Sequence, residues 1–134
     1  ASEIDRLKSS GGNGELFMKS YGGISLHNQS HGESFMAIMK NRFSGHGLYI
    51  LDEPEAALSP SRQMAMLALM KRLVDQDSQF IISTHSPILM AYPEAEIIEL
   101  DETGFRSTPY KETTHYRLTN YFLNNTEQML NELM

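Results

Sequence analysis

Cysteine is absent from the 134 residues, which removes disulfide frameworks, thiolate nucleophiles and zinc–thiolate sites from consideration. The same absence fits a reducing compartment. No apolar run approaches the ~18 residues that a membrane span requires, and no basic-then-apolar leader opens the sequence. A single soluble, cytoplasmic domain is the expectation. Basic patches are missing too. Seventeen acidic side chains stand against 11 basic ones, for a formal net charge of −6. Residues 1–67 hold 7 acidic and 6 basic side chains (net −1), and residues 68–134 hold 10 and 5 (net −5). Phosphate-backbone recognition needs clustered Lys and Arg, so nucleic acid is not an expected partner of this segment. Chemistry must come from carboxylates, histidines, hydroxyls or backbone.

Internal repeats are lacking, and Ser9-Ser10-Gly11-Gly12-Asn13-Gly14 is the one biased stretch. It is too rich in Gly and small polar residues to hold a helix or strand, so residues 1–20 read as a flexible linker or inserted segment. Ser2 to Leu7 and Glu15 to Met18 are a candidate helix and strand at its flanks.

The centre carries stronger signals. Leu48-Tyr49-Ile50-Leu51 and Phe80-Ile81-Ile82 are short apolar runs that end in polar residues, as expected for strands buried on both faces of a parallel sheet. Between them, Ser59-Pro60 supplies an N-cap followed by proline at the first helical position. Met66, Leu67, Met70, Leu73 and Val74 then recur at helical spacing up to Asp75-Gln76-Asp77. Strand, helix, strand predicts a βαβ crossover. Ser86-Pro87 repeats the cap-plus-proline device and predicts a second helix that Pro93 ends, before Ala95 to Leu100 alternates like a strand near a sheet edge. Two further helices are predicted over 114–123 and 126–133, the latter with Asn125 as N-cap and Gln128 at the capping-box position. Met36, Met39, Met64, Met66, Met70 and Met90 read as pliable core or interface filling.

The first apolar run passes directly into Asp52-Glu53-Pro54, placing two carboxylates at the C-terminal end of a parallel strand, where open α/β sheets bind ligands. In nucleotide hydrolases an apolar strand ending in Asp holds Mg²⁺, and a following Glu can polarise the attacking water. The plain alternative is a pair of polar residues capping a turn. His85 follows the second strand, in Ser83-Thr84-His85-Ser86, and the βαβ unit would bring it to the same sheet edge. It could bond a γ-phosphate or the attacking water, or be a turn histidine satisfied by backbone. Ser30 and Glu33 satisfy an S-x-x-E capping box before Phe35-Met36-Ala37-Ile38-Met39. A capping box needs no ligand, yet the same helix start, with the Ser30 hydroxyl and the unhindered Gly32, also makes an anion site. His27 and His31 are four apart but lack a third metal ligand. His46 and His115 read as surface residues.

Taken in order, Ser30-His31-Gly32-Glu33-Ser34, Leu48 to Pro54, Ala57-Leu58-Ser59-Pro60 and Ser83-Thr84-His85-Ser86 resemble an ABC-type ATPase. From about Tyr21 to its end the chain is similar to the C-terminal half of bacterial ATPases with an ABC-like, AAA-type ATP-binding domain. The tail Tyr110 to Tyr116, Phe122-Leu123 and Met129-Leu130 shares in that likeness. The resemblance implies a three-layer, P-loop NTPase-like α/β fold with a mainly parallel sheet flanked by helices. Only its C-terminal portion would be present, over 21–109, with a helical extension over 110–134. It implies a signature segment at 30–34, a Walker B strand at 48–53, a D-loop at 57–60 and a switch histidine at 85. Glu53 and His85 would be catalytic, and Asp52 would lie at Mg²⁺. Ser30, Gly32 and Ser34 would contact ATP held by a second subunit, in a homodimer that sandwiches two nucleotides. Gln29, His31 and Glu33 depart from the usual signature residues, as does Ser59 from the usual D-loop aspartate. No G-x-x-x-x-G-K-[ST] loop occurs, and no glycine is followed by lysine, so nothing here cradles the α- and β-phosphates. A C-terminal fragment with little hydrolysis of its own is therefore expected. The competing expectations are a degenerate, non-catalytic dimerisation or sensor module and the head of a DNA-repair type ATPase.

Overall fold

The computed structural model describes residues 31–134, which belong to two compact units that divide between Thr84 and His85. The linker expected over 1–20 and the helix and strand at its flanks lie outside the described residues.

The first unit is built on the predicted βαβ segment. Helix α1 (His31–Arg42) leads to strand β1 (Leu48–Asp52), a 3-10 turn (Pro54–Ala57), helix α2 (Pro60–Val74) and strand β2 (Gln79–Ser83). β1 and β2 pair in parallel, with Tyr49 opposite Phe80, Leu51 opposite Ile82 and Asp52 opposite Ser83. Ser59 caps α2 by accepting from the amide of Arg62 at 3.3 Å, and Pro60 follows in the first turn, so the Ser-Pro pair works as its chemistry requires. The core holds Phe35, Met36, Ile38 and Met39 of α1, Leu51 of β1, Leu58, and Met66, Met70 and Leu73 of α2. Gln63 is buried with them and donates to the Leu58 carbonyl at 3.1 Å. Phe43, Tyr49 and Phe80 stack beside this core, with the Phe43 and Tyr49 ring centres 4.1 Å apart.

One expectation fails for these strands. Leu48, Ile50 and Ile81 are 58%, 55% and 51% exposed, so among the described residues the two strands are covered on one face only. Partners in a parallel register share a face. Tyr49, Leu51, Phe80 and Ile82 turn inward, and Leu48, Ile50 and Ile81 form an apolar face that nothing described covers. Met64 is also exposed, whereas the other five methionines named above are buried.

The second unit runs from a 3-10 turn (Leu89–Ala91) through an antiparallel hairpin, β3 (Ile98–Asp101) and β4 (Gly104–Ser107), and a 3-10 turn (Tyr110–Glu112) to α3 (Thr114–Asn124) and α4 (Thr126–Leu133). The helix expected from Ser86 is reduced to that first turn. Ser86 Oγ does accept from the amides of Ile88 and Leu89 at 3.2 and 3.1 Å. The chain is already extended at Tyr92 (φ −52°, ψ 127°), the conformation that the ring of Pro93 favours for its predecessor, so no full α-turn fits between. The edge strand starts at Ile98, later than expected, and its partner β4 was not expected at all. At the hairpin tip, Thr103 donates through its amide and hydroxyl to Asp101 Oδ1, at 2.8 and 2.6 Å. Gly104 takes a φ of +120° that side-chain-bearing residues rarely adopt.

The last two helices match their expected spans almost residue for residue. Their junction differs from expectation. Asn125 makes no side-chain cap for α4, and its Nδ2 donates back to the Tyr121 carbonyl at 3.0 Å. Among the described residues the sheets are a two-stranded parallel pair and a two-stranded antiparallel pair. The α/β class holds, and the expected larger, mainly parallel sheet is not seen in them.

Candidate functional site

β1 delivers Asp52 to its last position, directly opposite Ser83 at the end of β2. The Ser83 hydroxyl donates to Asp52 Oδ1 at 2.5 Å, a charge-assisted bond that fixes one carboxylate oxygen. Oδ2 makes no hydrogen bond among the described residues. The Glu53 amide adds one more rung by donating to the Ser83 carbonyl at 2.8 Å. The backbone then turns into the left-handed region at Glu53 (φ 47°, ψ 55°), a conformation that costs a non-glycine residue roughly 1 kcal/mol. Pro54 opens the 3-10 turn, and the Ala56 amide closes back on the Glu53 carbonyl at 3.1 Å. Successive strand residues would face opposite sides of the sheet. The left-handed residue breaks that alternation at the strand end, where both adjacent carboxylates are exposed.

Glu55, unmarked by sequence reasoning, belongs to this cluster. Its Oε1 accepts from the Thr84 hydroxyl at 2.7 Å. Ser83 and Thr84 therefore bind one carboxylate each from the segment that leaves β1. Short hydroxyl side chains after an apolar strand are a weak sequence signal, because turns use them everywhere.

The donor set suits magnesium. Asp52 and Ser83 offer hard oxygens, and Mg²⁺ commonly takes only one or two carboxylates, filling its shell with phosphate and water. No group of three His, Cys or Asp/Glu side chains that could cage a metal occurs among the described residues.

Of the expected signature residues, Ser30 lies outside the described residues and Gly32 falls in the first turn of α1. Ser34 is 6% exposed, on the buried side of the same helix. Glu33 pairs across to α2, its Oε1 lying 3.1 Å from Arg62 Nη2.

In the second unit His85 is exposed, and its imidazole meets that of His115 edge-on, with ring centres 5.1 Å apart and planes at 74°. His115 is half-buried. The expectation that it is a surface residue is corrected, since the ring is engaged by another ring. His46 is a surface residue as expected, 3.8 Å from Asp77 and 81% exposed. Thr113, fully buried, caps α3 by accepting from the Tyr116 amide at 3.3 Å, and its own hydroxyl donates to the Tyr110 carbonyl at 2.7 Å. The Tyr110 hydroxyl donates to the Pro87 carbonyl at 2.6 Å. Burial, aided by Tyr116, pushes this phenol above its ordinary value of 10.0 and keeps it a donor. Among the described residues, no helix is long and apolar enough to cross a membrane.

No curated protein matches the chain. The sequence pattern of the AAA ATPase domain matches residues 13–90, a span that includes both strand ends, the Ser59 cap and His85. ATP binding and hydrolysis are the general chemistry of such domains. With more than half of its length in that match, the chain belongs to the AAA ATPase domain family.

Proposed function

We propose that the chain is the C-terminal portion of an ABC-type ATP hydrolase whose phosphate loop is contributed by sequence outside these residues. In this reading Asp52 holds Mg²⁺, steadied by Ser83, and Glu53 accepts the proton of the attacking water. His85 senses the γ-phosphate. Ser30 and Gly32 act on the nucleotide of a second subunit, so that ATP closes a homodimer, while Ser34, buried on the inner side of α1, supports the helix instead. Bound magnesium would neutralise charge on the phosphates. The water oxygen bonds to the γ-phosphorus as the bridging oxygen leaves, and the Glu53 carboxylate holds the released proton.

The observation that carries this reading is the division of labour at the end of β1. Asp52 is held by Ser83 on one oxygen, and Glu53 follows it on a left-handed backbone with its side chain exposed. One carboxylate cannot both hold a cation and take a proton. Two adjacent, exposed ones can divide those tasks. The order of the signature-like, strand-end, Ser59 and His85 segments supports the ABC-type assignment within the broader family.

The test uses a protein that joins this chain to its phosphate loop. Glu53→Gln should abolish turnover while ATP still binds and accumulates a stable dimer, read by light scattering. Turnover at the unmodified rate would overturn the assignment of the base. Retention of partner binding and biological activity by Asp52→Ala would favour the non-catalytic dimerisation module instead.

A further inference from the structure

The likeness to ATPases accounts for His85 and leaves the C-terminal helices without a role. Yet the first turn of α3 is clamped in place more tightly than a solvated tail needs. Four hydrogen bonds within the second unit hold it and the segment that leads into it. The Tyr110 hydroxyl grips the Pro87 carbonyl, two residues beyond His85, at 2.6 Å. The Thr113 hydroxyl joins the Tyr110 carbonyl to the Tyr116 amide. Glu99 Oε2 of β3 accepts from the Thr114 amide at 3.0 Å. The Tyr110 and Tyr116 rings add a contact with centres 4.8 Å apart. Ser86 and Pro87 are fixed in turn by the Ser86 hydroxyl, which holds the amides of Ile88 and Leu89.

The outcome of this bracing is the edge-on contact of His115 with His85, at a separation inside the about 4.5–7 Å window where perpendicular rings attract. Two imidazoles could also begin a metal site. That reading lacks a third ligand among the described residues.

We propose that His115 is a positioning residue for His85. Its ring restricts the rotation of the His85 imidazole, and the Tyr110–Tyr116 segment holds His115 where it can do so. An exposed histidine free to turn presents either nitrogen to a ligand. One braced by a perpendicular ring presents the same nitrogen each time, and the entropy of orienting it has already been spent in folding. The C-terminal helices thereby become a support for the residue that reads the γ-phosphate. The functional half of this inference rests on the proposed role of His85, and the geometric half stands without it.

The test uses the 134-residue chain labelled with ¹⁵N-histidine. NOE spectra should show cross-ring contacts between His85 and His115 and a single orientation of the His85 ring. In His115→Ala the NOEs from the His85 ring protons should spread over more than one ring orientation, and in His115→Phe, which restores a ring, they should keep the original pattern. An unchanged pattern of His85 ring NOEs in His115→Ala overturns the proposal. Should that variant not fold, Tyr110→Phe removes only the bond to Pro87. Weakened cross-ring NOEs then support the bracing, and unchanged NOEs overturn it. In a hydrolysis-competent protein, His115→Ala should lower kcat by about tenfold, short of the ~10²-fold cost of a misplaced reacting group. KM for ATP should hold, and the double variant with His85→Ala should be no worse than His85→Ala alone. Full turnover by His85→Ala overturns the sensor reading and the functional half with it, while the spectra judge the bracing separately.

Discussion

Asp52 and Ser83 close the ends of two adjacent parallel strands, residue opposite residue, with the serine hydroxyl on the aspartate carboxylate. The register of the sheet and the geometry of the candidate cation site are thus one and the same constraint. Ser83→Ala should cost about 1 kcal/mol, below the roughly 1.5–3 kcal/mol of a bond to a charged group because the pair is exposed. Urea denaturation would measure that loss. In a hydrolysis-competent protein the Mg²⁺ needed for half-maximal rate should rise by about tenfold, as for lost supports of metal ligands. An unchanged Mg²⁺ dependence would separate Ser83 from the site.

Glu53 combines a strained backbone with the proposed chemistry. Glu53→Gly should be more stable than Glu53→Gln by about 1 kcal/mol, because only glycine occupies the left-handed region without penalty. Both should be inactive. Thermal unfolding of the two variants side by side isolates the backbone term, since each removes the carboxylate. Equal stability would mean that the turn itself relaxes.

At the approach to β1, a Cβ on Gly45 would fall 2.8 Å from the Gln76 carbonyl oxygen and 2.9 Å from Gln76 Cβ. That carbonyl already accepts from the His46 amide at 2.9 Å, so it is not free to retreat. Gly45→Ala should therefore destabilise by about 1–3 kcal/mol, measurable as a lowered denaturation midpoint.

Glu99 gives the second unit a pH dependence of known sign. The Thr114 amide, with smaller help from Thr108 and Arg106, holds its carboxyl below the ordinary value of 4.5. A depressed folded-state value means that the unfolded chain binds the proton more readily. The stabilisation is complete above about pH 4.5 and is lost as pH falls through the lower folded value. The start of α3 should loosen over that window, seen in the amide signals of Thr114 and His115. Glu99→Gln should remove the dependence.

The β3–β4 hairpin shows an apolar face of Ile98, Leu100 and Phe105, which line a shallow cavity of about 340 Å³. Phe105 is 82% exposed, so Phe105→Ser should change stability by less than about 0.5 kcal/mol. Self-association at high concentration should fall, as sedimentation would show.

What could be read from residues alone follows from how local each signal is. The strand end at Asp52 and the Ser59-Pro60 start of α2 are written in neighbouring residues, and both appear where expected. β4 was invisible because Gly104-Phe105-Arg106-Ser107 has one apolar residue and pairs through backbone and a glycine turn. The inward and outward faces of β1 look alike in sequence, since apolar runs do not say what covers them. Glu55 with Thr84 and His85 with His115 are contacts across 29 and 30 positions, and no local pattern encodes such partners.

A chain without cysteine still has an oxidisable interior. Met36, Met39, Met66 and Met70 form much of the buried core of the first unit, while Met64 lies 58% exposed on the same helix as the last two. Sulfoxide formation turns a pliable apolar side chain into a polar one. Within α2, peroxide should therefore mark Met64 first at little cost, and damage becomes structural only when the helix opens and admits oxidant to the sulfurs beneath.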